Sequence, residues 1–312
     1  MAAGRGLAAP FMASDSTTVS LVLGSGGARG LAHIGVIHWL TENGYAIHSI
    51  SGSSIGALIG GIFATRKLAV YEEWVLALER LHVLRLLDPA FGRSGLFKGE
   101  RIMGVLRELI GDCAIEELPM SFTAVATDLD SGEEVWLRHG KLFDAIRASI
   151  ATPLVFTPFR HGDRTLLDGA LVNPVPIAPT LDDPTDLTIA VILSGPAEPR
   201  AAPAAATPQV DDGGYRKRIR GFIAGLPSLS PLLPFQARHL NEATARGPID
   251  IALVSMQAMQ DTIARLRHEA GSPDVTIDIP RNACGFHEFW RAEELIALGR
   301  ERAAQALARA GR

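Results

Sequence analysis

The sequence predicts an α/β protein whose central sheet is mainly parallel. One observation is order: the chain opens with a β-branched run, a helical pattern, a second strand-like run and a second helical pattern. A β-α-β-α order predicts parallel strands joined by right-handed crossovers. The other observation is composition: 312 residues, of which 47% are hydrophobic, can form a large domain with a sizeable core.

The opening elements follow from hydrophobic spacing and from glycines. The first run is rich in β-branched residues and ends in glycines, which predicts a strand followed by a tight turn. The next segment has apolar residues at helical spacing and ends near Gly44, a suitable C-cap. The four predicted elements cover residues 17–27, 28–44, 45–52 and 54–67.

The remaining elements are predicted by the same criteria. Residues 70–118 have a helical pattern that is broken by a loop at 88–100, and residues 121–138 suit a hairpin. Pro153 ends a later helical segment. The other expected elements are helices at 141–151, 249–270 and 286–310 and strands at 164–176, 186–195 and 274–280.

Composition divides the chain into three regions. Residues 1–17 are small and polar, lack the apolar core of a secretory signal, and are interpreted as a flexible leader. Residues 18–310 are expected to form one domain, with a flexible insertion or lid at about 196–240 that begins rich in Pro, Ala and Gly. Within that insertion, 215–235 places basic residues beside apolar ones. This segment is either a surface loop over the core or a peripheral membrane contact.

Charge and cysteine content exclude several classes of function. The net charge of −4 gives no reason to expect a nucleic-acid partner. The chain has no run of about 18 apolar residues, so a spanning helix is not expected. Cys113 and Cys284 match no metal or redox spacing, which favours reduced thiols. We therefore expect a cytoplasmic protein.

The segment Gly52-Ser53-Ser54-Ile55-Gly56 has the spacing G-x-S-x-G between a predicted strand and a predicted helix. A serine hydroxyl attacks a carbonyl only if a base takes its proton and a donor stabilises the oxyanion. A strand-turn-helix elbow would present the hydroxyl at the sheet edge, above a helix N-terminus. By itself the motif fits a structural turn equally well.

A glycine-rich loop, "GSGGARG" at 24–30, ends the first strand at the same edge of the predicted sheet. Successive glycines expose N–H groups that can bind an anion. A dinucleotide loop is disfavoured because Arg29 breaks the G-x-G-x-x-G spacing and no acidic residue follows the second strand. We therefore favour an oxyanion hole in which Gly26, Gly27 and Ala28 donate N–H groups.

The candidate bases are three late histidines and one aspartate. His239, His268 and His287 do not stand at an obvious junction between a strand and a loop. Asp168 ends an apolar strand, where a parallel sheet places functional carboxylates, although Asp-Gly is more often a simple turn. An apolar enclosure would raise the pKa of this carboxyl and make it a better base.

Four separated segments together resemble the patatin-like phospholipase family. They are the loop "GSGGARG" at 24–30, the elbow "GSSIG" at 52–56, the block "ASIATPLVFTP" at 148–158 and the turn "DGA" at 168–170. The hairpin at 126–133 and the segment at 286–301 are similar to bacterial cytoplasmic members. The resemblance covers residues 18–195 and 240–300.

The resemblance implies a three-layer α/β/α fold and a catalytic dyad without histidine. Ser54 would be the nucleophile and Asp168 the base. The remaining implied site residues are Gly26, Gly27 and Ala28 in the oxyanion hole, Arg29 and Gly30 supporting that loop, Gly52 and Gly56 in the elbow, and Gly169 and Ala170 in the turn. Ser25 stands where many members have glycine, and its N–H is expected to stay available.

The resemblance also implies a substrate class. We expect a lipid or another acyl ester, with phospholipase A or lysophospholipase activity, and neither a cofactor nor a metal. Pro153 and Pro158 would shape the pocket wall. Two alternatives stay open: a hydrolase of other acyl esters, and a regulatory or membrane-associated adaptor that keeps the fold with little turnover.

Overall fold

The β-α-β-α opening predicted from the sequence begins the fold. The computed structural model describes residues 16–90, 95–199 and 247–312. Within these residues one sheet has the strand order β5-β6-β3-β2-β1-β7-β8, and β4 pairs with β3. The strands are β1 (Thr18–Leu23), β2 (Ala46–Ser53), β3 (Ser121–Asp128), β4 (Glu134–Leu137), β5 (Phe159–His161), β6 (Arg164–Asp168), β7 (Leu187–Gly195) and β8 (Val275–Pro280).

The middle of the sheet is parallel and one side is antiparallel. The pairs β1–β2, β2–β3, β1–β7 and β7–β8 are parallel, whereas β4 and β6 run antiparallel to β3. The helices are α1 (Ala32–Glu42), α2 (Ile55–Ala64), α3 (Leu68–Leu76), α4 (Arg80–Leu86), α5 (Glu100–Ile110), α6 (Leu142–Ser149), α7 (Pro248–Gly271) and α8 (Ala292–Arg309).

Helices cover both faces of this sheet, because side chains alternate along each strand. In β1, Leu21 and Leu23 face the larger core, which α1, α2, α6 and α8 also line. Val22 faces a smaller core with Ala264 of α7 and Val175. The three-layer α/β/α architecture predicted from the sequence is therefore confirmed.

Several expected boundaries move. The first helix begins with a short 3-10 turn at Gly27–Leu31, and the closing helix begins at Ala292, preceded by a 3-10 turn at Phe289–Arg291. The leader at 1–17 and the insertion at about 196–240 fall almost wholly outside the described residues, as does His239. The domain boundaries therefore stay a prediction. Among the helices of the described residues, none combines the length and the hydropathy that a membrane-spanning segment needs.

Candidate active site

Ser54 lies on a sharp turn between β2 and α2. Its φ of 56° and ψ of −123° belong to a region that residues with a Cβ rarely adopt. The two glycines of the motif make the turn feasible: a Cβ on Gly52 would lie 2.5 Å from the nitrogen of Ala57, and one on Gly56 would collide with the carbonyl oxygen of Leu23. Ser54 is also the N-cap residue of α2, next to the first-turn N–H groups, which have no acceptor within the helix itself.

The hydroxyl of Ser54 donates a hydrogen bond to Asp168, with 2.8 Å between Oγ and Oδ2. Thr152 donates its hydroxyl to the same oxygen at 2.6 Å, and the N–H of Ala170 donates to Oδ1 at 2.9 Å. Burial raises the pKa of Asp168, while these three hydrogen bonds act in the opposite direction. The pKa of the Asp168 carboxyl is therefore above its ordinary value, which makes the carboxylate a better acceptor for the proton of Ser54.

Asp168 reaches Ser54 from an antiparallel strand, and the expectation that it ends a parallel strand is wrong. Asp168 of β6 pairs with Ala126 of β3, and Leu166 pairs with Asp128. Strand β6 therefore enters at the C-terminal edge of the parallel strands and runs inward from it. Because β6 has only five residues, its last residue still lies near that edge, beside Ala126 and one position beyond the pair of Val125 and Ser53.

Ser149 stabilises the backbone of the elbow through hydrogen bonds of its hydroxyl. The N–H of Ser54 donates to the Ser149 hydroxyl at 2.9 Å, and that hydroxyl donates to the carbonyl of Val125 at 2.6 Å. Both groups are buried, so the bond satisfies an amide that the strained turn would otherwise leave without a partner. Ser149 thus links the last turn of α6 and strand β3 to the backbone of Ser54.

The glycine-rich loop begins directly after β1, and two of its predicted N–H donors are occupied. The N–H of Ser25 donates to Pro174 at 2.9 Å, and the N–H of Ala28 donates to Phe286 at 2.8 Å. Because both amides have protein acceptors, the structure disfavours the expectations that Ser25 stays available and that Ala28 serves an oxyanion hole. The N–H groups of Gly26 and Gly27 donate to no acceptor within the described residues.

Close packing fixes the loop against the elbow. A Cβ on Gly26 would lie 2.6 Å from the Cβ of Leu193, and Gly27 has a φ of 59°. A Cβ on Gly30 would collide with the side chain of Ile55, the first residue of α2. The glycine loop and the Ser54 elbow are therefore direct neighbours.

Two buried side chains, Arg29 and His33, fix the glycine loop through hydrogen bonds to backbone carbonyl groups. The Arg29 guanidinium donates to the carbonyl of Arg281 at 2.6 Å; burial lowers its pKa, while the nearby Asp261 raises it. His33 bonds the carbonyl of Gly24 through Nε2 at 2.8 Å. Burial lowers the pKa of His33 to about 4, so the imidazole is neutral at pH 7 and donates its Nε2 proton.

The comparison with known proteins agrees with this geometry. The model of the family described as patatin-like phospholipase matches residues 21–181, which is just over half of the chain and includes Ser54 and Asp168. The chain belongs to the patatin-like phospholipase family. Membership indicates lipid acyl hydrolysis at the level of the family.

Individual proteins are similar to this chain over different lengths. An uncharacterized NTE family protein of Mycobacterium tuberculosis is 39% identical over 94% of this chain and 92% of its own length. Neuropathy target esterase sws of Drosophila virilis is 30% identical over 51% of this chain and 11% of its own length. The crystal structure of VipD from Legionella pneumophila covers 95% of this chain and 67% of its own, with 13% identity and a TM-score of 0.41.

The late histidines of this patatin-like protein have other partners. His268 bonds Thr276 at 2.6 Å between Nε2 and Oγ1, and the ring of His287 lies edge-on to Trp290. Within the described residues, no histidine is hydrogen-bonded to Ser54 or Asp168.

Three positioning residues were missed from the sequence. Ser149 and Thr152 lie in the block at 148–158, which we interpreted as a pocket wall shaped by prolines, and their hydroxyls next to a helix end were the available signal. His33 is a single polar side chain on an otherwise apolar helical face, which also indicated a buried hydrogen bond.

Proposed function

We propose that this protein is a serine acyl-ester hydrolase that acts on lipids, of the phospholipase A or lysophospholipase type. Ser54 is the nucleophile and Asp168 is the base. The observation that carries the proposal is the 2.8 Å hydrogen bond from Ser54 Oγ to Asp168 Oδ2, because it joins an alcohol to a base along a path for its proton. The N–H groups of Gly26 and Gly27 are proposed to bind the oxyanion.

In the acylation step, Asp168 takes the proton of Ser54 as Oγ attacks the carbonyl carbon of the ester. The negative charge that develops on the carbonyl oxygen is stabilised by the N–H groups of Gly26 and Gly27. The tetrahedral intermediate then collapses, the bond to the leaving alcohol breaks, and Asp168 returns the proton to that alcohol. The product bound to the protein is an ester between the acyl group and Ser54.

In the deacylation step, water replaces the alcohol. Asp168 takes a proton from water as the oxygen attacks the acyl carbon, and the second tetrahedral intermediate expels Ser54 Oγ. The proton on Asp168 returns to Ser54, and the fatty acid leaves. A raised pKa suits both steps, because the same carboxyl must accept a proton and later give it up.

Arg29 and His33 take no proton in this mechanism. Arg29 ties the loop to Arg281, and His33 holds the Gly24 carbonyl, so each keeps the proposed oxyanion donors in place. We propose that Gly30, Gly52 and Gly56 allow the close approach of the loop and the elbow, and that Gly169 allows the turn in which Ala170 bonds Asp168.

The test measures fatty-acid release from phosphatidylcholine, from lysophosphatidylcholine and from a soluble p-nitrophenyl butyrate control. The wild type is expected to hydrolyse the soluble ester and at least one lipid, and Ser54→Ala to hydrolyse none of them. Hydrolysis of the soluble ester alone would favour non-phospholipid esters. No hydrolysis of any ester by folded wild type would favour the regulatory adaptor.

A cytoplasmic location, peripheral at the membrane, stays a prediction.

A further inference from the structure

The solvent-facing side of helix α7 (Pro248–Gly271) has no charged residue in most of its first half and exposes charged residues in its second half. From 251 to 260 the sequence contains no charged residue. Its exposed positions there are Ile251, Ala252, Val254, Ser255, Ala258 and Met259. The second half instead exposes Arg265 and Glu269. A surface helix normally turns charged residues to water along its whole length, so the first half is the exception.

The exposed apolar side chains are large. Ile251 is 55% exposed, Val254 48% and Met259 60%. Positions 251, 254 and 258 form one stripe, and positions 252, 255 and 259 form a second stripe beside it. We call these six positions the α7 face. Monomeric soluble proteins rarely leave a contiguous apolar surface of this kind in water without a role.

The α7 face lies at the Ser54 edge of the sheet. His268 bonds Thr276 near the start of β8, so the C-terminal end of α7 lies at the opposite edge. Ala264 packs with Val22 near the C-terminal end of β1, and Asp261 is close enough to Arg29 for their charges to interact, so the middle of α7 lies near the glycine loop. The α7 face therefore extends past that loop, and its first residue, Ile251, lies about 15 Å along the helix from Asp261 at a rise of about 1.5 Å per residue.

Other exposed apolar side chains lie in loops around the same site. Leu154 belongs to the block that carries Thr152, and Phe286 packs against Gly27. Leu129 directly follows the C-terminal end of β3. Exposed apolar side chains therefore occur in several loops at the Ser54 edge as well as on the α7 face.

We propose that the α7 face inserts into the surface of a lipid aggregate and brings the Ser54 edge against the acyl chains. This inference rests on the proposed function. The helix satisfies its own backbone hydrogen bonds, which an apolar phase requires, and its face offers no charged group that would be costly to desolvate. Since the face contains no basic residue, it selects an apolar interior and not an anionic headgroup.

Binding through the α7 face is therefore distinguishable from binding through the basic segment at 215–235. Lysines and arginines attract anionic lipids, and salt weakens that attraction. The α7 face predicts binding to phosphatidylcholine vesicles that persists at high salt.

The experiment is flotation of the full chain with phosphatidylcholine vesicles at low and high salt. Val254→Asp places a charge in the α7 face, and Leu266→Asp is the matched control, because Leu266 is 58% exposed on the charged half of the same helix. Vesicle affinity is expected to fall roughly 10-fold or more in Val254→Asp, the effect of losing one buried apolar side chain. It is expected to be unchanged in Leu266→Asp.

Two further measurements keep the result separate from the proposed function. Ser54→Ala is expected to float like the wild type, and Val254→Asp is expected to hydrolyse soluble p-nitrophenyl butyrate at the wild-type rate. Vesicle binding without hydrolysis of any ester would sink the proposed function and leave this inference standing.

Three results would overturn the inference. They are no flotation of the wild type, flotation that high salt abolishes, and equal losses in Val254→Asp and Leu266→Asp. A wild-type dimer that Val254→Asp dissociates in analytical ultracentrifugation, with vesicle binding unchanged, would assign the face to a second copy of the chain instead.

Discussion

Thr152 and Ser54 donate hydrogen bonds to the same carboxylate oxygen of Asp168, and the Thr152 bond is the shorter of the two at 2.6 Å. The Thr152 hydroxyl therefore favours the ionised carboxylate, against a burial that raises the pKa of Asp168. Thr152 also leaves Oδ2 oriented toward Ser54, so it is a positioning residue for the proposed base.

Replacing Thr152 by valine removes this donor at nearly constant volume. The pKa of Asp168 should then rise, so the acid limb of the pH profile of kcat/KM for p-nitrophenyl butyrate should move to higher pH, by about one pH unit. Thr152→Ser keeps the hydroxyl and should keep the limb in place. If the acid limb of Thr152→Val stays at the wild-type pH and only the maximum of kcat/KM is lower, the hydrogen bond from Thr152 does not set the pKa of Asp168.

His33 makes stability depend on pH in a defined window. Burial lowers the pKa of His33 from 6.5 to about 4. As the pH falls, the unfolded chain therefore binds a proton at this imidazole at a higher pH than the folded protein does. Stability from this group is complete above about pH 6.5 and is lost as pH falls toward 4, by about 3 kcal/mol in total. Urea unfolding should show a smaller loss over this range in His33→Gln, which has an amide donor but does not titrate. Identical pH slopes in the two proteins would contradict the assignment.

Ser54 holds a backbone conformation that favours glycine. Ser54→Gly and Ser54→Ala both remove the hydroxyl, but only glycine adopts a φ of 56° without strain. We expect Ser54→Gly to be more stable than Ser54→Ala by about 1 kcal/mol, the relief of strain less the extra entropy of an unfolded glycine. The measurement is the free energy of unfolding in urea. An alanine variant that is equally or more stable would show that the elbow is not strained.

Gly26 has no room for a side chain. A Cβ would lie 2.6 Å from the Cβ of Leu193 and 2.8 Å from its Cδ1, so Gly26→Ala must shift the loop that carries the proposed oxyanion donors. We expect kcat for p-nitrophenyl butyrate to fall about 100-fold or more, as after loss of one such donor.

The control for Gly26→Ala is Gly104→Ala. Gly104 lies in α5, and a Cβ there would meet no atom within 4 Å. This variant should keep full activity and gain about 0.5–1 kcal/mol of stability, because alanine is the better helix residue. If Gly26→Ala were as active as Gly104→Ala, the loop would have no part in catalysis.

The sequence predicted the parallel core and the residues of the candidate dyad because both are local signals. Strand and helix spacing give the opening β-α-β-α unit, and the elbow around Ser54 is specified by its own two glycines. Asp168 was recognisable at the end of a short apolar run followed by glycine.

What the sequence could not predict depends on residues far along the chain. The antiparallel direction of β6 is decided by its pairing with β3, where Asp168 meets Ala126. The amides of Ser25 and Ala28 looked free because their acceptors, Pro174 and Phe286, belong to remote loops. No local pattern distinguishes an occupied amide from an available one.

Labelling with a fluorophosphonate probe tests the proposed Ser54–Asp168 dyad most directly, because the probe reacts only with an activated serine. The wild type should label, Ser54→Ala should not, and Asp168→Asn should label about 100-fold more slowly or less, as expected for loss of a general base. His287→Ala should label close to the wild-type rate. A wild type that does not label, or fast labelling in Asp168→Asn with loss in His287→Ala, would contradict the dyad.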